Sequence, residues 1–311
     1  MKLAFFGTPE FAVPSLEAVL AASDVVAVVT RPDKPRGRGL HVVPPPVAVA
    51  ATQYALEVLQ PASVRDPDFL RRLRELRPEV IVAVAFGRLI PPEALEIAPL
   101  GGINLHPSLL PRYRGAAPIA RAIAAGETET GLTVLYLSPE LDAGDIILQR
   151  AAPVRPDDTT GSLEARLAGE GAELLVDALR LLEAGRAEPR PQDPSRVTFA
   201  PRLLREEGLI RWGDPAGKIV NLVRALDPWP VAHALRDGVP LKIWRTAVLP
   251  ESGREAPGTV VRSGNEGLIV AAGEGRVLVQ EVQPDSGRRM SAAEYVRGHP
   301  LAPGAVLGGA G

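Results

Sequence analysis

A short segment near residue 105 carries the residue types that acid–base chemistry needs. Asn104 and His106 stand two residues apart in the run GGINLHP, so on a strand their side chains point to the same face. Pro107 ends that strand, and open α/β sheets place their binding sites at this end of their strands. An imidazole titrates near neutral pH and an amide donates hydrogen bonds, so the pair could stabilise charge and move protons. A histidine at a strand end is also often only a satisfied polar group.

The turn LDAGD, residues 141–145, could bring a carboxylate to this pair. It lies between two strand-like runs, so its aspartates could serve only the geometry of a turn. A carboxylate beside an imidazole would instead fix its tautomer and favour its protonated form. Asp142 is therefore the candidate partner of His106, although spacing alone leaves both interpretations open.

Composition and motifs exclude several other chemistries. The chain has 311 residues, no cysteine and four histidines, so disulfides, zinc ribbons, iron–sulfur clusters and cysteine nucleophiles are excluded and we expect no metal. The first strand-to-helix turn, GTPEF, lacks the GxGxxG spacing of dinucleotide sites. Because no stretch approaches about 18 apolar residues and the N-terminal run is too short for a signal peptide, we expect a cytoplasmic protein with no membrane partner.

The elements that must position these residues follow an α/β pattern. Continuously apolar runs alternate with amphipathic stretches in the first 150 residues, which is typical of parallel strands buried on both faces. This predicts an open, doubly wound sheet, with two further runs pairing antiparallel around the turn at 141–145. The predicted strands are Leu3–Phe6, Val25–Thr30, Val80–Ala85, Ile103–Leu105, Thr133–Leu137 and Ile146–Gln149, and the predicted helices lie near 10–22, 44–55, 66–77, 115–125 and 160–184.

The composition changes after the long helix. Residues 186–202, RAEPRPQDPSRVTFAPR, are rich in proline and lack periodicity, which indicates a linker. Beyond a helix predicted at 214–226, short strand-like runs separated by glycine and proline predict a small β-barrel or sandwich. The predicted organisation is a first domain at 1–188, a linker at 189–207 and a second domain at 208–311.

A basic segment, RPDKPRGRG at residues 31–39, stands apart from the rest of the chain. It holds four basic residues against Asp33 alone, and its prolines and glycines argue against a regular helix or strand. Such a segment could be a solvated surface loop. It could also be an arm that contacts nucleic acid through phosphates and arginine stacking. Because the whole chain carries a net charge of −2, nucleic-acid binding would have to use a local patch of this kind.

The segments INLHPSLLPRYRGAAPIARAI and GETETGLTVLYLSPELDAGDII together resemble the formyltransferase family that uses 10-formyltetrahydrofolate. The resemblance covers essentially the whole chain. The opening GTPEFAVPSLEAVL, the basic segment and the DPWP sequence at 227–230 narrow it to members whose acceptor is methionyl-tRNA. It implies a Rossmann-like, mostly parallel first domain, followed by an OB-like β-barrel that binds tRNA.

The resemblance also implies the site residues. In this family an Asn-x-His strand end and the aspartate of a Leu-Asp-x-Gly turn form the catalytic set, here Asn104, His106 and Asp142. Loops at 86–90, 108–111 and 138–142 are expected to line the folate pocket. The expected folate-binding residues are Phe86, Gly87, Arg88, Leu89, Ile90, Ser108, Leu109, Leu110 and Pro111, and the expected tRNA-binding residues are Arg36 and Arg38, of which Arg38 matches the family's key arginine.

The implied reaction moves a formyl group from N10 of the folate cosubstrate to the α-amino group of initiator methionyl-tRNA, for translation initiation. Protonated His106 and the Asn104 amide would stabilise the oxyanion, with Asp142 raising the pKa of the histidine. Formyl transfer to a glycinamide ribonucleotide or a sugar amine is an alternative, and the chain length speaks against the first of these. A nucleic-acid-binding module is a third interpretation, but it would have no use for the catalytic set. We expect a monomer.

Overall fold

The computed structural model describes residues 1–36, 41–251 and 253–308. These residues fall into two compact units. The first unit comprises Met1–Pro118, Glu129–Pro153 and Glu164–Ala200, and the second comprises Ile119–Thr128, Val154–Leu163 and Pro201–Gly311.

The first unit is built around a seven-stranded sheet with a separate two-stranded hairpin. Its strands in chain order are β1 (Lys2–Gly7), β2 (Asp24–Val29), β3 (Lys34–Arg36), β4 (His41–Val43), β5 (Val58–Leu59), β6 (Val80–Val84), β7 (Gly102–His106), β8 (Glu129–Tyr136) and β9 (Ile146–Pro153). The α-helices of both units, among the described residues, are α1 (Val13–Ala22), α2 (Pro46–Gln53), α3 (Pro67–Leu76), α4 (Pro92–Leu95), α5 (Pro118–Ala124), α6 (Thr160–Glu183), α7 (Ala216–Ala225) and α8 (Ala292–Gly298).

The large sheet has the order β5-β2-β1-β6-β7-β8-β9. Neighbours from β5 to β7 are parallel, whereas β8 is antiparallel to both β7 and β9. Every residue of β6 is buried, as expected for a strand covered on both faces. The predicted open, mostly parallel sheet is confirmed, and so is the antiparallel pairing of the two runs that flank the turn at 141–145.

Local sequence signals explain where elements begin and how the core is tied together. Helix α3 begins after Asp66, whose side chain accepts hydrogen bonds from the backbone of Asp68 and Phe69, and Pro67 occupies its first turn. Phe6 of β1 packs edge to face against Phe69 and against Phe86, with ring centroids 6.3 Å and 5.2 Å apart. Such aromatic pairs add to the apolar burial of the core and fix the chain just beyond the end of β6.

The basic segment is more regular than its composition predicts. Strands β3 and β4 pair antiparallel, with Pro35 opposite Val42. The expectation of no regular strand is wrong here, because each strand of a two-stranded hairpin has a free edge and tolerates a proline that cannot donate to the ladder. Arg38 lies outside the described residues.

Residues 189–200 belong to the first unit and do not stand apart from it. Arg190 and Ile146 exchange two backbone hydrogen bonds. Thr198 donates to the carbonyl of Pro111, and Ala200 donates to the carbonyl of Arg114. This proline-rich stretch, part of the segment predicted as a linker, is therefore held along the loop that follows β7.

The second unit contains an antiparallel sheet that curls into a half-barrel. Its strands are β10 (His233–Arg236), β11 (Val239–Leu249), β12 (Val260–Gly264), β13 (Gly267–Ala271), β14 (Arg276–Pro284) and β15 (Met290–Ser291). The order is β10-β11-β14-β13-β12, with β15 on β14. Residues 305–308 hydrogen-bond to Leu235 of β10 and to Val260 of β12, so they bridge the two edge strands. The predicted second-domain β-barrel of OB-like form is confirmed as this half-barrel.

Within the three described ranges, no helix has the length and apolar character needed to cross a membrane.

Helix α6 approaches β7 closely at one glycine. Gly171 faces Leu105, the residue between Asn104 and His106, and a Cβ built on Gly171 would stand 2.7 Å from Leu105 Cδ2. Leu105 is buried, so it has little room to move away. The glycine therefore allows the helix to support the strand that carries the candidate catalytic pair.

Alanine substitutions at Gly169 and Gly171 separate helix propensity from this close approach. A Cβ on Gly169 would meet no atom within 4 Å, so Gly169→Ala is expected to raise the free energy of unfolding by about 0.5–1 kcal/mol. Overpacking at Gly171 costs about 1–3 kcal/mol, so Gly171→Ala is expected to be less stable than Gly169→Ala by roughly that amount. Urea unfolding measures both variants, and equal stabilisation would contradict the close packing of α6 on β7.

Candidate active site

The candidate catalytic residues come from one strand and one loop of the first unit. Asn104 and His106 lie on β7, where Asn104 is opposite Leu135 and His106 is opposite Thr133 of β8. Because β8 runs antiparallel, the loop after it leaves beside the start of β7, where Leu137 donates to the carbonyl of Gly102. This loop, residues 138–145, must extend back along β7 for Asp142 to reach His106.

His106 is buried and has a partner for each ring nitrogen. Its relative exposure is 4%, and its Nε2 lies 2.9 Å from the carbonyl oxygen of Tyr113. Its Nδ1 lies 3.6 Å from Asp142 Oδ2, which is too long for a hydrogen bond but close enough for a strong electrostatic interaction in a buried setting. A carbonyl only accepts, so Nε2 carries the proton of the neutral ring. The lone pair of Nδ1 then faces the carboxylate.

Burial lowers the pKa of His106 below its ordinary value of 6.5, and this outweighs the opposing effects of the Asp142 charge and the hydrogen bond to Tyr113. Removing water from a cation costs more free energy than one carboxylate at 3.6 Å returns. The expectation that Asp142 keeps the ring cationic is therefore wrong for the free protein. The neutral ring keeps a lone pair on Nδ1 that can take up a proton.

Asp142 is held by backbone contacts as well as by its charge. Its Oδ2 accepts a hydrogen bond of 2.9 Å from the backbone amide of Gly115. Its φ is 50°, a left-handed conformation that aspartate tolerates better than most residues. Gly144 follows two residues later, where a Cβ would overlap the carbonyl oxygen of Tyr136. The Leu-Asp-x-Gly turn therefore needs both its aspartate and its glycine.

The side-chain amide of Asn104 has no hydrogen-bond partner in the part of the chain that the structure describes. The residue is half-buried. An unpaired, partly desolvated amide on the same strand face as His106 is free to donate to a negatively charged oxygen.

The loop after β7, residues 108–111, is fixed by two side chains that the sequence did not single out. Thr133 Oγ1 donates to the carbonyl of Ser108 at 2.6 Å and accepts from the amide of Leu110 at 3.2 Å. Gln149 Nε2 donates to the carbonyl of Leu110 at 2.8 Å. Ser108 and Leu110 are buried, and the Ser108 hydroxyl donates to the carbonyl of Arg112. Both residues therefore shape the loop from within.

The loop after β6, residues 86–90, is anchored at its base and open at its tip. The hydroxyl of Thr8 donates to the carbonyl of Phe86 at 3.2 Å, and the Arg31 guanidinium donates to the carbonyl of Gly87. Phe86 and Ile90 are buried, whereas Leu89 is 59% exposed. Arg88 donates to the carbonyl of Pro61 at 3.0 Å. The loop thus offers an exposed apolar side chain on a fixed backbone.

The described structure places the predicted tRNA-binding residues only in part. Arg36 belongs to β3 by its backbone. Arg38 lies outside the described residues. At the base of the segment, Gln60 donates to the carbonyl of Arg31 and to Asp33, so the hairpin leaves from a fixed point beside the loop at 86–90.

Several residues of the site carry no signal that sequence reasoning could use. Tyr113 and Gly115 act through backbone atoms, so their side-chain types do not reveal the role. Thr133 and Gln149 point inward from β8 and β9 and could be identified only once the register was known. In the described residues, no group of three or more metal-ligating side chains is present.

Comparisons with known proteins match the chain along most of its length. The profile described as Formyl transferase matches residues 1–179, and the profile described as Formyl transferase, C-terminal domain, matches residues 202–300. The methionyl-tRNA formyltransferase of Moorella thermoacetica is 50% identical over 309 residues, which are 99% of this chain and 99% of that protein.

Two solved structures are similar at low sequence identity. An N-formyltransferase from Helicobacter canadensis, in complex with folinic acid and dTDP-3-aminofucose, has a TM-score of 0.69 and 20% identity, over 90% of this chain and 99% of that one. HypX from Aquifex aeolicus, in complex with tetrahydrofolic acid, has a TM-score of 0.62 and 21% identity over 95% of this chain. The chain spans 46% of the HypX chain. At these identities the similarity shows the fold.

The lowered pKa of His106 predicts how stability depends on pH. Between the lowered value and 6.5, the unfolded chain binds a proton that the folded chain does not, so this contribution to stability falls as the pH falls through that window. His106→Gln is expected to flatten the dependence between pH 7 and pH 5, by up to about 1.4 kcal/mol per pH unit.

The measurement is denaturant unfolding at a series of pH values. His299→Gln replaces an exposed histidine and is the matched control for the loss of one imidazole. If the free energy of unfolding changes with pH in the same way for the unmodified protein and for His106→Gln, burial does not hold His106 in its neutral form.

Proposed function

The chain belongs to the formyl transferase family, and we propose that it transfers the formyl group of 10-formyltetrahydrofolate to the α-amino group of initiator methionyl-tRNA. The observation that carries the chemistry is the contact of buried His106 with half-buried Asp142, beside the Asn104 amide on the strand of His106. The acceptor is supported by the 50% identity, over nearly the whole of both chains, to the methionyl-tRNA formyltransferase of Moorella thermoacetica.

The candidate site has features that suit a folate as the formyl donor. The exposed side chain of Leu89 offers apolar surface for a flat ring, and the loop that carries it has a fixed backbone for hydrogen bonding. The Asn104 amide suits the formyl oxygen. Structures in complex with tetrahydrofolic acid and with folinic acid are known for proteins of the same fold. We propose that the loops at 86–90 and 108–111 surround the folate.

Asn104 stabilises the charge that develops during attack. When the neutral amine adds to the formyl carbon, the electron pair of the C=O bond moves onto the oxygen. The Asn104 amide donates a hydrogen bond to that oxygen. Because the amide has no partner to give up among the described residues, it needs no reorganisation at the moment of reaction.

His106 and Asp142 handle the proton that the amine releases. With Nε2–H donated to Tyr113, the free lone pair of the ring is on Nδ1 and faces the carboxylate at 3.6 Å. A proton taken up by this pair is stabilised by both members, since the imidazolium that forms is neutralised by Asp142. The same proton then passes to the folate nitrogen as its bond to the formyl carbon breaks. The mechanism uses a neutral ring at the start and a cationic one only transiently.

The two matched profiles support a division of labour along the chain. We propose that residues 1–188 form the catalytic domain and 208–311 the tRNA-binding domain, in keeping with matches at 1–179 and 202–300. The linker proposed at 189–207 joins them, and its first part, 189–200, is packed within the first unit. We also propose that the protein is a monomer. Its acceptor is charged initiator tRNA, so we place the reaction in the cytoplasm.

Transfer of label tests this function directly. With 10-formyltetrahydrofolate labelled in the formyl carbon, methionyl-tRNA is expected to become labelled on its amino group. N-acetylmethionyl-tRNA, whose amine is blocked, is expected to stay unlabelled. Glycinamide ribonucleotide and an amino-sugar nucleotide serve as competing acceptors. Label that enters one of these and not methionyl-tRNA would overturn the proposed acceptor.

Asn104→Ala tests the oxyanion role. The variant is expected to lower kcat by about 10²–10³, the usual cost of one oxyanion donor, and to leave the folate dissociation constant nearly unchanged. Gln53→Ala removes an exposed amide on α2 and is the matched control. Steady-state formylation and direct folate titration measure the two quantities. A loss confined to folate affinity would make Asn104 a binding residue.

Arg38→Ala tests whether the basic segment recognises tRNA. A guanidinium can fork onto a phosphate or stack on an unpaired base, so this change is expected to impair formylation of methionyl-tRNA far more than folate binding. Arg36→Ala is expected to do less, because one exposed phosphate contact is more readily replaced. Formylation is measured at low and high salt, since phosphate contacts weaken with salt. Equal losses of folate affinity and formylation would assign the segment to the folate pocket.

A further inference from the structure

Gln192 makes four hydrogen bonds that join separate pieces of the site. Its Nε2 donates to the carbonyl oxygens of Asp142 and Gly144, each at 2.8 Å. Its Oε1 accepts from Arg114 Nε at 3.1 Å and from Arg114 Nη2 at 2.8 Å. The orientation of the amide is unambiguous, because carbonyls only accept and a guanidinium only donates. Both N–H groups and the oxygen of the Gln192 side chain therefore have hydrogen-bond partners.

The two pieces that Gln192 joins are those that hold His106. The segment from Tyr113 to Gly115 supplies the carbonyl on His106 Nε2 and the amide on Asp142 Oδ2. The loop at 138–145 supplies Asp142 itself. Gln192 bonds Arg114 in the first piece and the Asp142 carbonyl in the second, so the contacts form a closed ring around the catalytic pair.

The starting point of the loop at 138–145 explains why it needs these contacts with Gln192. It leaves β8 beside Gly102, four residues before His106 on β7, and must extend back along that strand. The paired positions of β8 and β9 nearest this loop are Leu135 and Ile146. Between these ends, the carbonyls of Asp142 and Gly144 are held by Gln192, and Asp142 keeps its left-handed conformation.

The segment that carries Gln192 is itself fixed. Arg190 pairs with Ile146 through two backbone hydrogen bonds, and Thr198 and Ala200 bond to the backbone of Pro111 and Arg114. Gln192 stands between these anchors and is half-buried. It can therefore transmit a fixed position to the loop rather than follow the loop as it moves.

We propose that Gln192 is a positioning residue for formyl transfer, which acts by holding Asp142 and the Tyr113–Gly115 segment in register on either side of His106. This inference rests on the proposed function, in that His106 and Asp142 handle the proton. Gln192 touches neither substrate in this account. Its effect reaches the reaction only through the separation and orientation of the His106–Asp142 pair.

Gln192→Met and Gln192→Glu test the proposal. Methionine has a similar length and removes all four hydrogen bonds. Glutamate still accepts from Arg114, but it cannot donate to the two carbonyls. Both variants are expected to lower kcat about 10- to 100-fold, as misplacement of a catalytic group does, with KM for methionyl-tRNA and folate within about twofold of the unmodified protein. Gln53→Met makes the same replacement at an exposed glutamine and is expected to have no effect.

A double-mutant cycle with Asp142→Asn separates positioning from a general loss of structure. If Gln192 acts through Asp142, the double variant is expected to be no slower than Asp142→Asn alone, because coupled residues are not additive. If the double variant lowers kcat by the product of the two separate reductions, Gln192 acts independently of Asp142. An unchanged kcat in both Gln192 variants, beside an active unmodified protein, would overturn the proposal while leaving the proposed function intact.

Amide hydrogen exchange gives a readout that does not depend on any activity. The amide of Gly115 is bonded to Asp142 Oδ2 at 2.9 Å, so its exchange reports whether Asp142 stays in place. Gln192→Met is expected to speed the exchange of the Gly115 amide at least tenfold. Gln53→Met is expected to leave that rate unchanged. An interior amide, such as that of Val82 on β6, is expected to exchange at the same rate in all of these proteins. Unchanged exchange at Gly115 would overturn the inference even if the protein proved to formylate a different acceptor.

Discussion

The burial of the His106 imidazole is the constraint on which the rest of the site depends. A polar ring removed from water must find partners for both nitrogens, because an unpaired buried polar group costs about 1–3 kcal/mol. The protein supplies a backbone carbonyl to one nitrogen and a carboxylate to the other. Those partners come from two different loops, so the fold must bring both loops to the end of one strand and hold them there.

Each layer of the first unit contributes to that convergence. The sheet places β7 in its interior, between β6 and β8, and α6 supports it through the close approach at Gly171. Thr133 and Gln149 fix the loop that follows β7. The proline-rich stretch at 189–200 then lies along the outside and fastens both loops through Gln192. A stretch that composition marks as a linker thus completes the catalytic unit.

The same burial decides the chemistry. A ring whose pKa is lowered accepts a proton more readily from an attacking amine than a permanently cationic ring would. The nearby carboxylate limits the cost of the charge that then forms. In the proposed mechanism the oxyanion is left to Asn104, whose amide has no partner in the described structure. Proton acceptance and oxyanion stabilisation are therefore divided between two side chains of one strand face.

Sequence reasoning identified the parts of this arrangement that depend on period and residue type. The alternation of a strand places Asn104 and His106 on one face, and continuous apolar runs predict the parallel sheet. It could not reveal contacts made by backbone atoms, such as those of Tyr113 and Gly115. The lowering of the pKa of His106 could not be predicted either, because the burial of its ring depends on the tertiary packing of two loops. Pro35 led to the wrong prediction that the basic segment forms no regular strand. A two-stranded hairpin accepts a proline that the interior of a sheet would exclude.

The protonation state of His106 tests the central claim most directly. The ¹⁵N chemical shifts of its imidazole can be followed against pH, with the signals assigned by their absence from His106→Ala. A neutral ring protonated on Nε2 is expected at pH 7, and it is expected to become cationic only below pH 6.5. An imidazolium with both nitrogens protonated at pH 7 would contradict it, because burial would then not control the charge of the site.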